Sequence, residues 1–589
     1  MGAFLLAKQQ NTDFSERAAL AVFTEKGLTD PHVFTIGKWQ LWSWKKINLN
    51  EDHFIIDGKA ILVCAGTPVY QGTHDLKESL NMIMHELGNN SFSYNKVRGS
   101  YGLLYSPDGN EIKILTDQAG IWNIYFDTNA GIISSSFLAV VFGLKNKVSL
   151  NKFAATEVIT SGRLIGPDTL FNEISRLEIS LMGKIGECEI LRDQDLQNFP
   201  DPKKETFSEA VDEQIEAINN YFADIKNFGN YYGVDSGLTG GHDSRMMFIQ
   251  IRKYFKKFQI HSFWRKTRDL ELAIAEKVAA KAGVPLRVVE GKHHADKTNE
   301  QLEDTLKKGL FFYDGHIRMH CFLMEDYHTI EHRTKILDDK NLGINGIGGE
   351  QYRNEWHMEL PAWRLEYFTR YSLCYILSGK SFTDTGFENK YFDHLRTKLV
   401  NKLGMDINSK KISKKYVQKY YNEVYVASLM SVRTNAENAL THFITPFIDR
   451  QLTRVAYRSL PHHGISFDFQ QAMIRKMDPE LASVQSGYGY SFTEGEPFKK
   501  KLKYLVKEFT PTSLYMQKLD KKFEATGNKA FQELVKKYPI YSESVKLMQQ
   551  FKIPIDETMI TSRPDIMPVY LSLSYFLYYL SKQNKLEIT

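Results

Sequence analysis

Through residue 197 the apolar positions fall in short β-rich runs. Ala60 to Val63, Tyr101 to Tyr105, Ile112 to Thr116, Asn123 to Phe126 and Ile132 to Ser136 are separated by turn signals such as SPDGN at 106–110 and DTNAG at 127–131. One helical stretch, His74 to Leu87, interrupts them. FPDPKKET at 199–206, with two prolines and mixed charge, reads as a connector. The period then changes: Phe207, Ala210, Val211, Ile215, Ile218 and Phe222 recur at helical spacing behind Thr206 or Ser208 as N-cap. Strands over Tyr231 to Leu238, Phe258 to Phe263 and Leu286 to Glu290 alternate with helices over Asp243 to Phe255 and Leu270 to Ala282. Such alternation predicts a parallel sheet with ligands at the carboxyl ends of its strands. From about residue 300 the pattern is mostly helical, and the basic run KKISKK at 410–415 reads as a solvated face.

At 589 residues the chain has room for two or three domains. Hydrophobic residues at 42% and charged residues at 25% exclude disordered and fibrous classes. The 75 basic and 70 acidic side chains leave a net charge of +5, too weak a field to argue for nucleic acid. Cys64, Cys188, Cys321 and Cys374 stand far apart without a CxxC pair, which argues against a zinc site or disulfide framework and favours a cytoplasmic setting. The start carries no convincing signal peptide, and the apolar run Pro568 to Leu580 is short of the ~20 residues a bilayer needs, so it is expected to be a buried helix and no membrane partner is expected.

The most informative stretch is Leu238-Thr239-Gly240-Gly241-His242-Asp243-Ser244-Arg245, between an apolar strand and an amphipathic helix. Adjacent glycines let a backbone close around an anion, and the helix N-terminus points N–H groups and partial positive charge at it. Thr239 and Ser244 can donate to phosphate oxygens, and Asp243 in such a cradle implies a cation such as Mg²⁺. The loop is not a Walker A sequence. It resembles the SGGxDS pyrophosphate loop of the PP-loop ATP-pyrophosphatases, with Thr239 at the first serine position. Asn345-Gly346-Ile347-Gly348-Gly349-Glu350-Gln351 is similar to the SGEGSDE segment of asparagine synthetases, and Thr445 to Asp449 followed by Leu460-Pro461 resembles that family's VPFLD and LP landmarks. Gly99 to Leu103, Thr116 to Gly120, Tyr125 and Ser134 to Ser136 resemble its class II amidotransferase half.

The resemblance implies an α/β plus α+β architecture: an Ntn-hydrolase-like β-sandwich domain over 1–200 and a PP-loop ATP-pyrophosphatase parallel-sheet domain with a helical extension over 201–589. It implies ATP and Mg²⁺ as cofactors. Leu238, Thr239, Gly240, Gly241, Asp243, Ser244, Gly346 and Gly348 would hold ATP or pyrophosphate, with Asp243 and Glu350 as metal ligands. Departures from the family change the expected chemistry. Gly2 stands where glutamine-hydrolysing members use cysteine, Ala65 to Tyr70 replaces their NGEIYN segment, and Arg98 replaces an aspartate, so the glutaminase is expected to be dead. What remains resembles β-lactam synthetases and lasso-peptide macrolactam cyclases, which adenylate a carboxylate for capture by an amine on the substrate. Intermolecular amidation of a sugar acid, use of free ammonia, and a non-catalytic nucleotide-binding scaffold are the other readings.

The family's general base is absent at Ile347, which leaves His442, Asp314 and Tyr352 as candidates, His442 being equally readable as a core histidine. The family's phosphate-contacting lysine aligns with Gln471, and Arg353 or Lys476 are the substitutes considered. With no third ligand at metal spacing, His242, His293 and His294 read as exposed loop histidines. The GYGYSF segment at 487–492 reads as a loop near the acyl pocket, a surface loop or core filler. A partner protein or a homodimer is left open.

Overall fold

The computed structural model describes residues 2–181, 183–193, 200–201, 205–264, 269–290, 297–317, 340–356, 358, 362–374, 379–464, 467–509 and 511–588. Two six-stranded sheets make up most of the N-terminal part. One runs Ile174–Arg176, Tyr125–Asp127, Ile132–Ser134, Ala3–Lys8, Trp39–Trp44, His32–Ile36, all antiparallel. The other runs Gly183–Ile185, Cys188–Ile190, Lys113–Thr116, Tyr101–Ser106, Ala60–Gly66, Phe54–Asp57, antiparallel except for the pair Cys188–Ile190 and Lys113–Thr116.

The strand AFLLAK shows why the sheets stack. Its side chains alternate between faces, so Phe4 and Leu6 meet Val63, Ala65 and Leu104 of the other sheet. Leu5 and Ala7 face helices on the opposite side, among them Phe137–Gly143. Both faces are covered, which is why the run is apolar throughout. Leu62 and Cys64 likewise turn away from the sandwich toward the helix Leu76–Gly88. Asp75 caps that helix by accepting from Glu78 N.

The later part opens with α1 (Phe207–Asp224), held by a capping box between Thr206 and Glu209. A five-stranded, all-parallel sheet follows: β1 (Val234–Gly237), β2 (Phe258–Trp264), β3 (Leu286–Glu290), β4 (Leu342–Ile344) and β5 (His442–Ile444), in the order β3-β2-β1-β4-β5. Between strands run α2 (His242–Tyr254) and α3 (Asp269–Lys281), and α4 (Ser431–Leu440) leads into β5. The first strand is shorter than its apolar run: Tyr231 and Tyr232 end the helix Lys226–Tyr232, and Gly233, at φ 72°, breaks the chain into β1.

After β5 come α5 (Arg450–Arg458) and further helices ending in α6 (Met567–Lys582), most of whose side chains are buried. Beyond α6 the chain returns to the N-terminal part, where Val148 and Leu586 form a parallel bridge. The largest apolar core is shared, containing Leu5, Phe137 and Ala155 together with Leu310, Leu395 and Phe576. Among the described residues no helix is long and apolar enough to cross a membrane.

Candidate functional site

β1 ends at Gly237 and α2 begins at His242, so Leu238 to Gly241 form the connection at the carboxyl edge of the sheet. Inside this loop Thr239 Oγ1 and Ser244 Oγ lie 2.9 Å apart, Thr239 N donates to Ser244 Oγ at 3.1 Å, and Gly241 N donates to Thr239 Oγ1 at 3.3 Å. The two hydroxyls thus hold the loop shut on itself while remaining at the surface. The GYGYSF segment braces it from behind: Gly487 N donates to Gly240 O at 3.0 Å. The ring of His242 is buried beside Phe492, 4.2 Å away and stacked, with Tyr488 at 4.8 Å and Phe467 at 5.0 Å. Burial pushes the imidazole well below its ordinary pKa, so His242 is a neutral core group and not the exposed loop histidine the sequence suggested: the rings of the 487–492 segment and Phe467 cover it.

The second glycine segment packs directly on the first turn of α2. A Cβ at Gly349 would lie 2.2 Å from Asp243 Oδ1, and Gly348, at φ 96°, would place one 2.3 Å from Ile448 Cγ2. At Gly346 a Cβ would lie 3.0 Å from the Asp243 backbone, so this segment approaches the start of α2 as closely as glycine allows. Asp243 Oδ1 accepts from Arg353 Nη1 at 2.9 Å and from Gln470 Nε2 at 2.6 Å. Burial, with Glu350 adding, pushes the Asp243 carboxyl up against the pull of Arg353. Glu350 accepts from Tyr421 Oη at 2.7 Å and from Gly348 N at 3.2 Å. Arg353 also reaches Glu355 at 2.7 Å and Glu350 at 3.8 Å.

These pieces border a cleft of about 310 Å³, lined by Leu238, Thr239, Gly241, Asp243 and Ser244, by the Asn345 to Ile347 backbone, and by Glu350. Among the lining groups the sequence reading did not anticipate are His261 and Ser262 of β2, Glu271 of α3, and Arg433 and Glu437 of α4. Arg433 Nε donates to Glu437 Oε1 at 2.7 Å, one helical turn on. That i, i+4 spacing is the one signal the sequence carried for this pair.

The three candidate bases lie elsewhere. His442 is fully buried in β5, its Nε2 2.6 Å from Glu51 Oε1 and its Nδ1 3.3 Å from Thr67 Oγ1, both in the N-terminal part. Strand alternation sends the next residue, Phe443, to the cleft instead. Burial pushes the His442 pKa down to about 4. Asp314, at φ 57°, accepts from Lys26 at 2.8 Å and from Ser136 Oγ and Phe137 N at 2.5 Å each, anchoring the two parts to each other. Tyr352 is fully buried edge-on against Phe447, 5.6 Å away, and does not border the cleft. Gln471 is buried behind the loop, donating to Tyr490 Oη at 3.3 Å, and Lys476 pairs with Asp212 at 2.5 Å. His293 and His294 lie outside the described residues.

The residues that break the amidotransferase pattern are occupied structurally. A Cβ at Gly2 would fall 2.7 Å from Leu28 Cδ2. Arg98 Nη2 pairs with Asp224 at 2.7 Å, and Thr67 Oγ1 donates to Asn438 Oδ1 at 2.6 Å.

Among the described residues no group of three histidine, cysteine or carboxylate side chains converges on a metal position. Asp243 and Glu350 both border the cleft, with Asp243 Oδ1 taken by Arg353 and Gln470. That donor set fits Mg²⁺, which commonly takes one or two carboxylates and completes its shell with phosphate oxygens and water. Compared with known proteins, the chain matches no family model and no curated protein.

Proposed function

We propose that the chain is an ATP-dependent, AMP- and pyrophosphate-forming amide ligase related to the asparagine synthetases, with an inactive, Ntn-hydrolase-like amidotransferase half over 1–200 and a PP-loop synthetase half over 201–589. The observation that carries the reading is the loop itself. Paired glycines, a helix N-terminus and two surface hydroxyls converge at the carboxyl edge of a parallel sheet, where oriented N–H groups favour a polyphosphate.

In this reading a substrate carboxylate oxygen attacks the α-phosphorus of ATP, the α–β bridging bond breaks, and pyrophosphate leaves into the Leu238 to Ser244 loop. A substrate amine then attacks the acyl carbon, loses a proton, and AMP departs with the carboxylate's former oxygen. Mg²⁺, held through Asp243 and Glu350, would neutralise the departing pyrophosphate. Thr239 and Ser244 orient phosphate oxygens, and the Gly346 to Gly349 turn borders the adenylate. Holding amine and acyl group together supplies effective concentration, so lactam or macrolactam closure of one substrate carrying both groups is the leading form. Of the cleft groups, Glu271 and Glu437 take the place in the base argument that His442, Asp314 and Tyr352 leave vacant, because both border the reaction space.

One contact favours a second reading, a scaffold that binds nucleotide without turnover: Arg353 already supplies a cation to Asp243. Substrate-dependent ATP–pyrophosphate exchange, screened over carboxylate pools with Asp243→Ala as control, separates the two. Exchange that needs one carboxylate and vanishes in the variant supports the ligase. ATP binding by calorimetry with no exchange from any pool supports the scaffold, and absence of both sinks the nucleotide site.

A further inference from the structure

A second cavity, of about 110 Å³, shares no lining residue with the cleft. It is well above the ~15 Å³ that one water requires. Gln118 of the N-terminal part and Lys402, Lys419, Asn422, Glu423 and Arg450 of the later part are among its walls. The position is a junction, with Ile448 as a shared wall: it lines this cavity and is also the side chain that excludes a Cβ from Gly348.

The charge there is lopsided. Lys402 pairs with Glu178, which Arg176 also reaches at 3.5 Å. Lys419 lies 4.0 Å from Glu423 and donates to Leu403 O at 3.1 Å. Gln118 donates to Asp193 at the margin. Arg450 is 7% exposed, and burial pushes even its guanidinium down, to about 10, against the pull of Glu423 and Asp193. Glu423, whose carboxyl burial pushes up against the pull of Lys419, Lys402 and Arg450, is the one carboxylate among the described lining residues. Asn422 is 7% exposed, borders the cavity, and its Nδ2 has no hydrogen-bond partner among the described residues. A buried amide donor left unmatched beside converging cations is costly unless an acceptor arrives.

The geometry points to a binding site for a small oxyanion, a carboxylate or phosphate group held by Lys419, Arg450 and Asn422 Nδ2, separate from the nucleotide cleft. The inference does not depend on the ligase reading. It has a route to the cleft, however: Tyr421, the neighbour of Asn422, donates its hydroxyl to Glu350. An anion drawing Asn422 inward acts on the segment that holds a cleft carboxylate in place.

The test is calorimetric titration of the full chain with sodium phosphate and, separately, sodium succinate, at constant ionic strength. Wild type, Asn422→Leu, Lys419→Met and Ser244→Ala are compared, each first checked for a folded spectrum. One saturable site is expected, weakened at least tenfold by Asn422→Leu and by Lys419→Met and unchanged by Ser244→Ala. Should Lys419→Met misfold, Asn422→Leu decides alone. A response to phosphate only, or to succinate only, names the source of the oxyanion. No saturable binding of either probe overturns the proposal. So does binding that Ser244→Ala removes and Asn422→Leu spares, since the anion then sits in the nucleotide loop.

Discussion

Asp314 carries three donors on one carboxylate at a left-handed backbone position, and those contacts fix its role better than its residue type does. Asp314→Asn keeps the shape but removes the charge facing Lys26, so it is expected to lower stability by about 1–3 kcal/mol in a denaturant melt. ATP binding should stay as in wild type; a change in nucleotide affinity without a loss of stability would return Asp314 to the reaction. Ser244 should show the opposite pattern. Its hydroxyl is exposed and ties only the loop, so Ser244→Ala is expected to leave the melting temperature within a degree or two yet weaken ATP binding about tenfold, the size of one hydrogen bond to a charged group. Equal ATP affinity in wild type and variant would remove that hydroxyl from the phosphate site.

The glycine loop between β1 and α2 does not stand by itself. Phe492 is fully buried, stacks on His242, and lies 4.4 Å from the Arg245 guanidinium, so the 487–492 segment and the start of α2 share one packed layer. Phe492→Ala is expected to destabilise by about 3–5 kcal/mol and to raise the ATP dissociation constant, because the loop loses its rear support. Unaltered affinity in a folded variant would show that the loop is shaped from within. This element also marks where sequence reading stops. The glycine segments were legible because paired glycines ahead of a helix are an anion-loop pattern in themselves, and of the three sheet strands read from the sequence, Phe258–Trp264 and Leu286–Glu290 came out nearly as read while the first begins only at Val234. The sequence left GYGYSF between loop and core because aromatic runs serve both. It missed Arg433 and Glu437 because they reach the cleft from one face of a helix with no local motif, and it left His442 between base and core histidine because strand alternation at β5, not residue type, decides which side chain meets the cleft.

Over the whole molecule the connector near residue 200 divides the chain more than it divides the packing. The largest core draws on both parts, the residues after α6 pair with Val148, and Asp314, Arg98, Thr67 and His442 all bridge the seam. A shared core of this kind predicts that the two parts unfold together, so calorimetry should show one transition; two separated ones would sink the shared-core account. His442 gives the seam a pH dependence of known sign. Its pKa is about 4 when folded and near 6.5 when unfolded, so between those values the unfolded chain binds a proton that the folded one refuses. The stability it confers is therefore complete above about pH 6.5 and declines as the pH falls toward 4, by about 1.4 kcal/mol per unit. Other groups titrate in the same window, so the informative quantity is the difference from His442→Gln, which lacks this proton. The variant is expected to be the less stable protein at pH 8 and to close the gap by about 3 kcal/mol at pH 4. A stability difference that stays constant with pH would mean that His442 titrates alike in the folded and unfolded chains, and one that widens toward acid would mean that it is charged against Glu51 in the folded protein, making the seam an ion pair rather than a neutral contact.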